Sequence, residues 1–450
     1  MRSWFLFLAL SSVLGGPAQA APERLVGHGG PVKAVVAAEE GGRVLTASFD
    51  YAVGLWEISD SKGRLLRRLI GHEAAVNDVA FLADGRRAIS VSDDGTAIVW
   101  DLERGTVLGR FGETPVKALD VEVSPDGRLA AVAKWDRRVL VIDLETMTLV
   151  SLLEGNRDRV NAVAFARDGS ALYSGDSDGS LRRWSLPLPE KGIAPHAVLR
   201  EQGWGINVLR AVAGAVVVGA VDGTVLVVPD KGEARELFRF EQPVMALARS
   251  ADGSQLAAGA GDGQMRVWDI GSWEERKVLL NDLGPVWGLS FDAEGEVLWF
   301  AGLDDEVYSL PLTGPPKALP EPKERPRRFH LMEGLDLGAR EFQRKCSVCH
   351  TLTPDDANRA GPTLYRLFGR RAGSLPGYPY SQALLDSAIV WNEETVAALF
   401  DHGPDVVTPG TKMPIQRITD PERRNALVRF LKGATGGLAP DADRGLKEQE

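Results

Sequence analysis

The sequence predicts a multidomain chain in which an all-β repeat domain precedes a smaller helical one. Three observations carry this. Between residues 22 and 314 a pattern recurs seven times, an Asp followed six positions later by Trp or a branched apolar residue. Residues 315–330 are crowded with proline. Beyond them, two helix-type segments with capping residues bracket the pentapeptide Cys346-Ser-Val-Cys349-His350.

Residues 1–20 read as an export signal. Arg2 supplies a basic start, Trp4 to Leu14 an apolar run, and Ala18-Gln19-Ala20 the small residues before a cut at Ala21. That run is short for a bilayer and no comparable second one follows. The expected product is a soluble exported protein of the bacterial periplasm, with no transmembrane segment after signal cleavage. A formal net charge of -10 has the wrong sign for a nucleic-acid binder. The chain has two cysteines, both in the pentapeptide. If both are used there, no disulfide forms even in an oxidising compartment. Stability then rests on apolar cores, which a 44% hydrophobic composition allows.

Four repeats are clear: Asp50 to Trp56, Asp94 to Trp100, Asp178 to Trp184 and Asp262 to Trp268. Three degenerate copies keep the offset, Asp136 to Ile142, Asp222 to Val228 and Asp304 to Leu310. The closing positions are 44, 42, 42, 44, 40 and 42 residues apart. Within a unit, short alternating runs are separated by turns, as in Val76–Phe81, Asp84-Gly85, Ala88–Val91, Asp94-Gly95 and Ala97–Trp100. This pattern resembles the WD40 family, and seven copies then imply an all-β seven-bladed WD40-type propeller over residues 21–314. The family's marks are best kept in the first two units, where Gly27-His28 and Gly71-His72 precede Trp56 and Trp100 by one interval. The resemblance implies two hydrogen-bonded sets, His28, Thr46, Asp50 and Trp56, then His72, Ser90, Asp94 and Trp100. A buried Asp needs such partners. Asn156 replaces the histidine in the fourth unit, so the later blades are expected to lean on strand packing. The last repeat stops near Leu310, and Glu23 to Val26 is therefore expected to supply the missing outer strand of the seventh blade.

No ligand cluster stands out in this domain. His196 reads as part of an inter-blade loop. Trp135, Trp204, Trp273, Trp287 and Trp299 fall outside the closing position, and their readings as partner-binding loop residues or as core stay open. Residues 315–330 form a proline-rich basic linker, since repeated prolines deny a helix interior and stiffen a spacer.

The helical domain spans 331–435. Leu335 to Lys345 reads as a helix, capped by Asp336 or Glu333, with Gly338 and Phe342 on one face. Thr419-Asp420-Pro421-Glu422 starts another, through a Thr419/Glu422 capping box or an Asp420 cap, running to about Lys432 and stopped by Gly433. Close crossing of these helices gives Gly338 a use against Phe430. Between them, two thiols three positions apart followed at once by an imidazole form the c-type haem attachment signature, a redox thiol pair being the alternative. Residues 436–450 read as a flexible acidic tail.

The surroundings decide between those alternatives. Gly361-Pro362, Leu367-Phe368-Gly369-Arg370, Pro376-Gly377-Tyr378-Pro379-Tyr380, Trp391 and Pro409-Gly410-Thr411-Lys412-Met413-Pro414 follow in order. Together these landmarks resemble the class I cytochrome c family, of the mitochondrial and alphaproteobacterial type. The resemblance implies an all-α domain with one covalent haem c. Cys346 and Cys349 would form its thioethers, and His350 and Met413 its axial ligands. The Pro362 carbonyl would orient His350. Arg370, Tyr380, Trp391 and Thr411 would serve the buried propionate, and Leu364 and Leu367 the apolar wall. A thioether ligand raises the reduction potential, and two strong ligands leave no position for other chemistry. His402, in an Asp-His-Gly-Pro turn, is the rival distal ligand. Leu384 and Leu399 stand where the mitochondrial type is polar, which predicts a drier distal side.

The expected function is single-electron transfer in the periplasm, with no catalytic residues and with the propeller docking a redox partner protein, soluble or membrane-associated. The alternative is a periplasmic oxidoreductase whose propeller holds a substrate or second-cofactor site and uses the cytochrome domain as relay.

Overall fold

In a computed structural model, the structure describes residues 24–59, 62–112, 114, 116–189, 194, 196–201, 203–313, 335–347, 349–354, 361–378, 380–409, 411, 413 and 417–436. The expected signal, His330 with the linker, and the tail beyond Gly436 lie outside the described residues.

Seven four-stranded antiparallel sheets account for residues 24–311. Six consist of consecutive strands, spanning 32–70, 76–111, 118–153, 160–201, 206–239, 244–280. The seventh takes Val286–Phe291, Val297–Gly302 and Glu306–Pro311, and its outer strand is Arg24–Val26 from the other end of the chain. Arg24 lies opposite Tyr308, Leu25 opposite Val307 and Val26 opposite Glu306. Leu25 is fully buried, and Arg24 pairs with Glu306 at 3.1 Å. Glu23, the first residue of the expected closing strand, lies outside the described residues. The molecule's first part is thus a seven-bladed all-β propeller.

The sequence makes this arrangement by patterning its strands differently. The two middle strands of each blade are covered on both faces by neighbouring blades, so they are buried along most of their length, as in Arg87–Ser92 and Ala97–Asp101. Outer strands such as Thr106–Phe111 are mostly exposed. All seven closing positions fall in third strands and are buried, the largest being Trp56, Trp100, Trp184 and Trp268. Inner strands are stitched to the next blade by polar side chains. Asn77 donates to the Ala118 carbonyl at 2.8 Å, Asn161 to Ile206 at 2.8 Å and Asn207 to Val244 at 3.0 Å. Asp78 accepts from the Val121 N–H and Asp120 from the Val163 N–H. Burial raises both of these carboxyls above their ordinary range.

The two expected polar sets are formed. His28 meets Asp50 at 3.0 Å and Thr46 at 2.6 Å, and Trp56 Nε1 donates to Thr46 at 2.8 Å. His72 repeats this with Asp94 at 2.9 Å and Ser90 at 2.8 Å, and Trp100 donates to Ser90 at 2.8 Å. Burial alone would raise Asp50, but His28 and Arg68 beside it and the Gly29 N–H hold it down to about 2. The fourth blade departs from expectation by keeping half of this set. Ser174 donates to Asn156 at 2.9 Å and accepts from Trp184, while Asp176 turns to Arg182 at 3.0 Å. An amide can replace the imidazole as acceptor, so losing the histidine did not lose the network.

His196 is a correction: it opens the outer strand His196–Glu201, and its ring sits 4.5 Å from that of Trp184. The five extra tryptophans divide. Trp299 is core, Trp273 packs against the sixth blade's core, and Trp204 is 59% exposed. Lys117 and Arg159 flank the Trp135 ring, and Lys33 lies over Trp287.

Residues 335–436 hold helices α1 (Leu337–Lys345), α2 (Gln382–Leu385), α3 (Glu393–His402), α4 (Pro404–Val407) and α5 (Pro421–Ala434). Two of these are single turns, and an antiparallel bridge joins Arg371 and Val390, so much of the segment is irregular. Asp336 caps α1 through the Ala339 N–H at 2.8 Å, and Asp420 caps α5 with Pro421 at its first position. The α5 helix passes through Gly433 instead of stopping there, and the left-handed residue is Gly436. A Cβ on Gly338 would lie 2.2 Å from the Ala426 carbonyl and 2.6 Å from Phe430 Cβ, so the helix crossing needs glycine. Phe342, Phe368, Phe400, Leu427 and Leu431 form the core beneath it.

Candidate haem-binding site

The end of α1 sets the geometry of the pentapeptide. Cys346 caps the helix by donating its N–H to the Phe342 carbonyl at 2.8 Å. The chain then turns tightly, with the Cys349 and His350 N–H groups both returning to the Cys346 carbonyl at 3.1 and 2.8 Å. That turn brings both sulfurs and the imidazole to one cleft. Cys346 is buried, which pushes its thiol up to about 12, with Cys349 adding to the effect. Such a thiol stays neutral, unlike the depressed thiolate of a redox-active pair.

His350 is held by its surroundings on two sides. Its Nδ1–H donates to the Pro362 carbonyl at 2.7 Å, which assigns the tautomer and makes Nε2 the basic nitrogen. Gly361 passes directly over the ring. A Cβ there would come within 2.3 Å of Cε1 and 2.6 Å of Nδ1, so any side chain would displace the imidazole.

All eleven residues expected at the site line this one cleft: Cys346, Cys349, His350, Pro362, Leu364, Leu367, Arg370, Tyr380, Trp391, Thr411 and Met413. The cleft has a volume of about 1110 Å³ including its open mouth. Met413 is positioned by its N–H donating to Thr411 Oγ1 at 3.2 Å, and Thr411 by its N–H donating to the Thr408 carbonyl at 3.0 Å. Thr408 is anchored in turn by its hydroxyl on the Pro404 carbonyl. Arg370 differs from its expected role in one respect. Its guanidinium donates to the carbonyls of Thr363 at 2.7 Å and Tyr365 at 3.0 Å, buttressing the loop after His350. Burial lowers Arg370 and raises Tyr380, and the charge of Arg370 partly offsets the latter. Leu384 and Leu399 also line the cleft, making that part of the wall apolar. His402 does not; it is exposed at the end of α3, and its neighbour Asp401 pairs with Arg424 at 3.0 Å.

Several lining residues were not anticipated as such. Tyr378 packs edge-on against Tyr380 at 4.7 Å, a contact legible only as aromatic spacing across a proline. Ser381 Oγ is buried without a hydrogen-bond partner among the described residues. Tyr51 comes from the propeller, and no feature of its own repeat points to this cleft. Burial first, then Tyr378 and Cys349, push its phenol well above the ordinary range.

These observations fit a haem. The cleft is large and mostly apolar, two thiols and an imidazole of fixed tautomer stand at it, and a thioether lines it. The orphaned Ser381 hydroxyl is a donor awaiting a polar group of a bound molecule.

Comparison with known proteins agrees with both halves. The WD domain, G-beta repeat family matches at residues 63–101, 147–185 and 235–269. Each match begins in or just before the outer strand of one blade and ends in the third strand of the next. Curated cytochromes c match the other part. That of Cochliobolus lunatus is 40% identical over 98 residues, covering 22% of this chain and 90% of the relative. Those of Sesamum indicum and Arabidopsis thaliana are 40% and 39% identical over 100 and 98 residues, each 22% of this chain and 87% of the relative. The chain therefore belongs to the cytochrome c family, with that similarity confined to about a fifth of its length and WD40 repeats making up its propeller.

Proposed function

We propose that the protein is an exported, periplasmic carrier of single electrons, with one covalent haem c on residues 331–435 and the propeller as its partner-docking module. The observation that carries this reading is His350, whose Nδ1–H is committed to Pro362 in the same cleft that receives Cys346, Cys349 and Met413. When bound, the haem supplies reversible one-electron exchange at iron. Cys346 and Cys349 would hold it through thioethers, and His350 Nε2 and Met413 Sδ would ligate its iron. Pro362 and Gly361 fix the imidazole, and Thr411 and Thr408 fix the methionine loop. Leu364, Leu367, Leu384 and Leu399 exclude water from the cleft, so little polar material reorganises when charge changes. Tyr380, Trp391 and Ser381 would serve its propionates, and Arg370 holds the loop after His350. The propeller supplies affinity, raising the local concentration of the haem domain at a redox partner protein.

Pyridine haemochrome analysis of the purified full chain tests the cofactor, with one c-type haem per chain expected. Met413→His should leave that stoichiometry intact and lower the reduction potential, because a second imidazole replaces the thioether. An unchanged potential would remove Met413 from the iron.

A further inference from the structure

Apart from Tyr51, the cleft is lined from residues 345–431 alone. Tyr51 occupies the turn between the second and third strands of the first blade, directly after Asp50. Its φ is 69°, the left-handed region, where a bulky side chain is strained. At the same turn position four other blades carry glycine: Gly95, Gly179, Gly223 and Gly263, all with positive φ. Arg137 of the third blade shares this strained conformation, but only the Tyr51 side chain reaches the cleft.

Its neighbours on the ring belong to the same end. Val32 lies opposite Ser48 and Val286 opposite Gly302, so inner-strand starts and these turns share one face of the propeller. On that face Phe49 stacks on Trp287 at 5.6 Å, and Lys33 lies 5.1 Å over the same indole. The Tyr51 side chain itself lies among Tyr378, Cys349 and Asp93.

We propose that the propeller itself caps the mouth of the haem cleft, with the Tyr51 side chain as the stopper on the Cys349 and Tyr378 side. Outside donors and acceptors then reach that edge in proportion to the fraction of molecules in which the cap is displaced. The proposal rests on the haem reading of the cleft. It makes the propeller a gate on electron exchange as well as a docking module.

The test uses full-length holoprotein, oxidised and mixed with ascorbate, following haem reduction by stopped flow, one electron passing to the ferric iron. Tyr51→Gly restores the residue that four sister blades carry and is expected to fold. It should be reduced about tenfold faster than wild type, the ratio for a cap closed in about nine molecules of ten. Arg137→Gly, at the same turn of the third blade, should leave the rate unchanged. Small-angle scattering provides a readout independent of redox chemistry, a larger radius of gyration being expected for Tyr51→Gly. Equal rates and equal radii for wild type and Tyr51→Gly, in proteins with the same c-type spectrum, would overturn the cap. Absence of any c-type spectrum in wild type would instead overturn the haem reading beneath it.

Discussion

Gly361 and His350 show at the scale of single residues how little freedom the site has. A methyl group on Gly361 would sit 2.3 Å from the imidazole, and neither backbone nor ring can yield while Pro362 holds Nδ1. Gly361→Ala should therefore cost roughly 1–3 kcal/mol by overpacking and reduce haem content. Thermal unfolding together with the haem-to-protein ratio measures both. Glu122, on an inner strand of the propeller, supplies a pH signature. Burial raises it from 4.5 to about 7, opposed by Arg210 and reinforced by Asp120. A carboxyl whose folded value is raised favours the protonated folded state. Its contribution is full below about 4.5 and is lost as pH rises through about 7. Its side chain is 20% exposed, so the loss is on the order of 1–2 kcal/mol. Glu122→Gln should raise stability at pH 8 and flatten the urea midpoint between pH 5 and 8. An unchanged profile would remove Glu122 as its source. Cys346, Cys349 and His350 were legible from the local C-x-x-C-H spacing, and Met413 from the resemblance of its surroundings to the class I cytochrome c family. Ser381, Tyr378 and Tyr51 were not, since only the folded chain brings their side chains to the cleft.

Elements were legible where periodicity and capping chemistry agree. Asp420-Pro421 marks the start of α5 because a carboxylate accepts the free N–H groups while proline lacks one to lose. Its end was misread because glycine only disfavours a helix, and packing of Leu427 and Leu431 carries α5 past Gly433. The strand Arg24–Val26 matters most among the elements. It buries Leu25, pairs three residues with Glu306–Tyr308 and, as the first strand among the described residues, closes the last blade. Deleting residues 24–26 should lower propeller stability by about 3 kcal/mol or more, since loss of Leu25 alone accounts for much of that. Urea unfolding monitored by tryptophan fluorescence measures it. A loss below about 1 kcal/mol would mean that the ring closes without this strand. The outer strand His196–Glu201 was hidden because it is exposed along its whole length and carries no buried alternation.

Across the whole molecule, the propeller is held by buried middle strands and inter-blade stitches, and the candidate haem cleft by a few glycines, prolines and hydroxyls. The repeat count was readable because seven copies preserve one offset. The meeting of Tyr51 with the cleft was not, because nothing in either segment encodes the other. Everything functional depends on an iron held by His350 and Met413 and closed to outside ligands. The most direct measurement is the optical spectrum of the purified holoprotein, ferric and then ferrous under carbon monoxide. The account predicts the weak sulfur-to-iron charge-transfer band in the ferric form and no carbon monoxide adduct in the ferrous form. A ferric spectrum without that band, together with ready carbon monoxide binding, would contradict it.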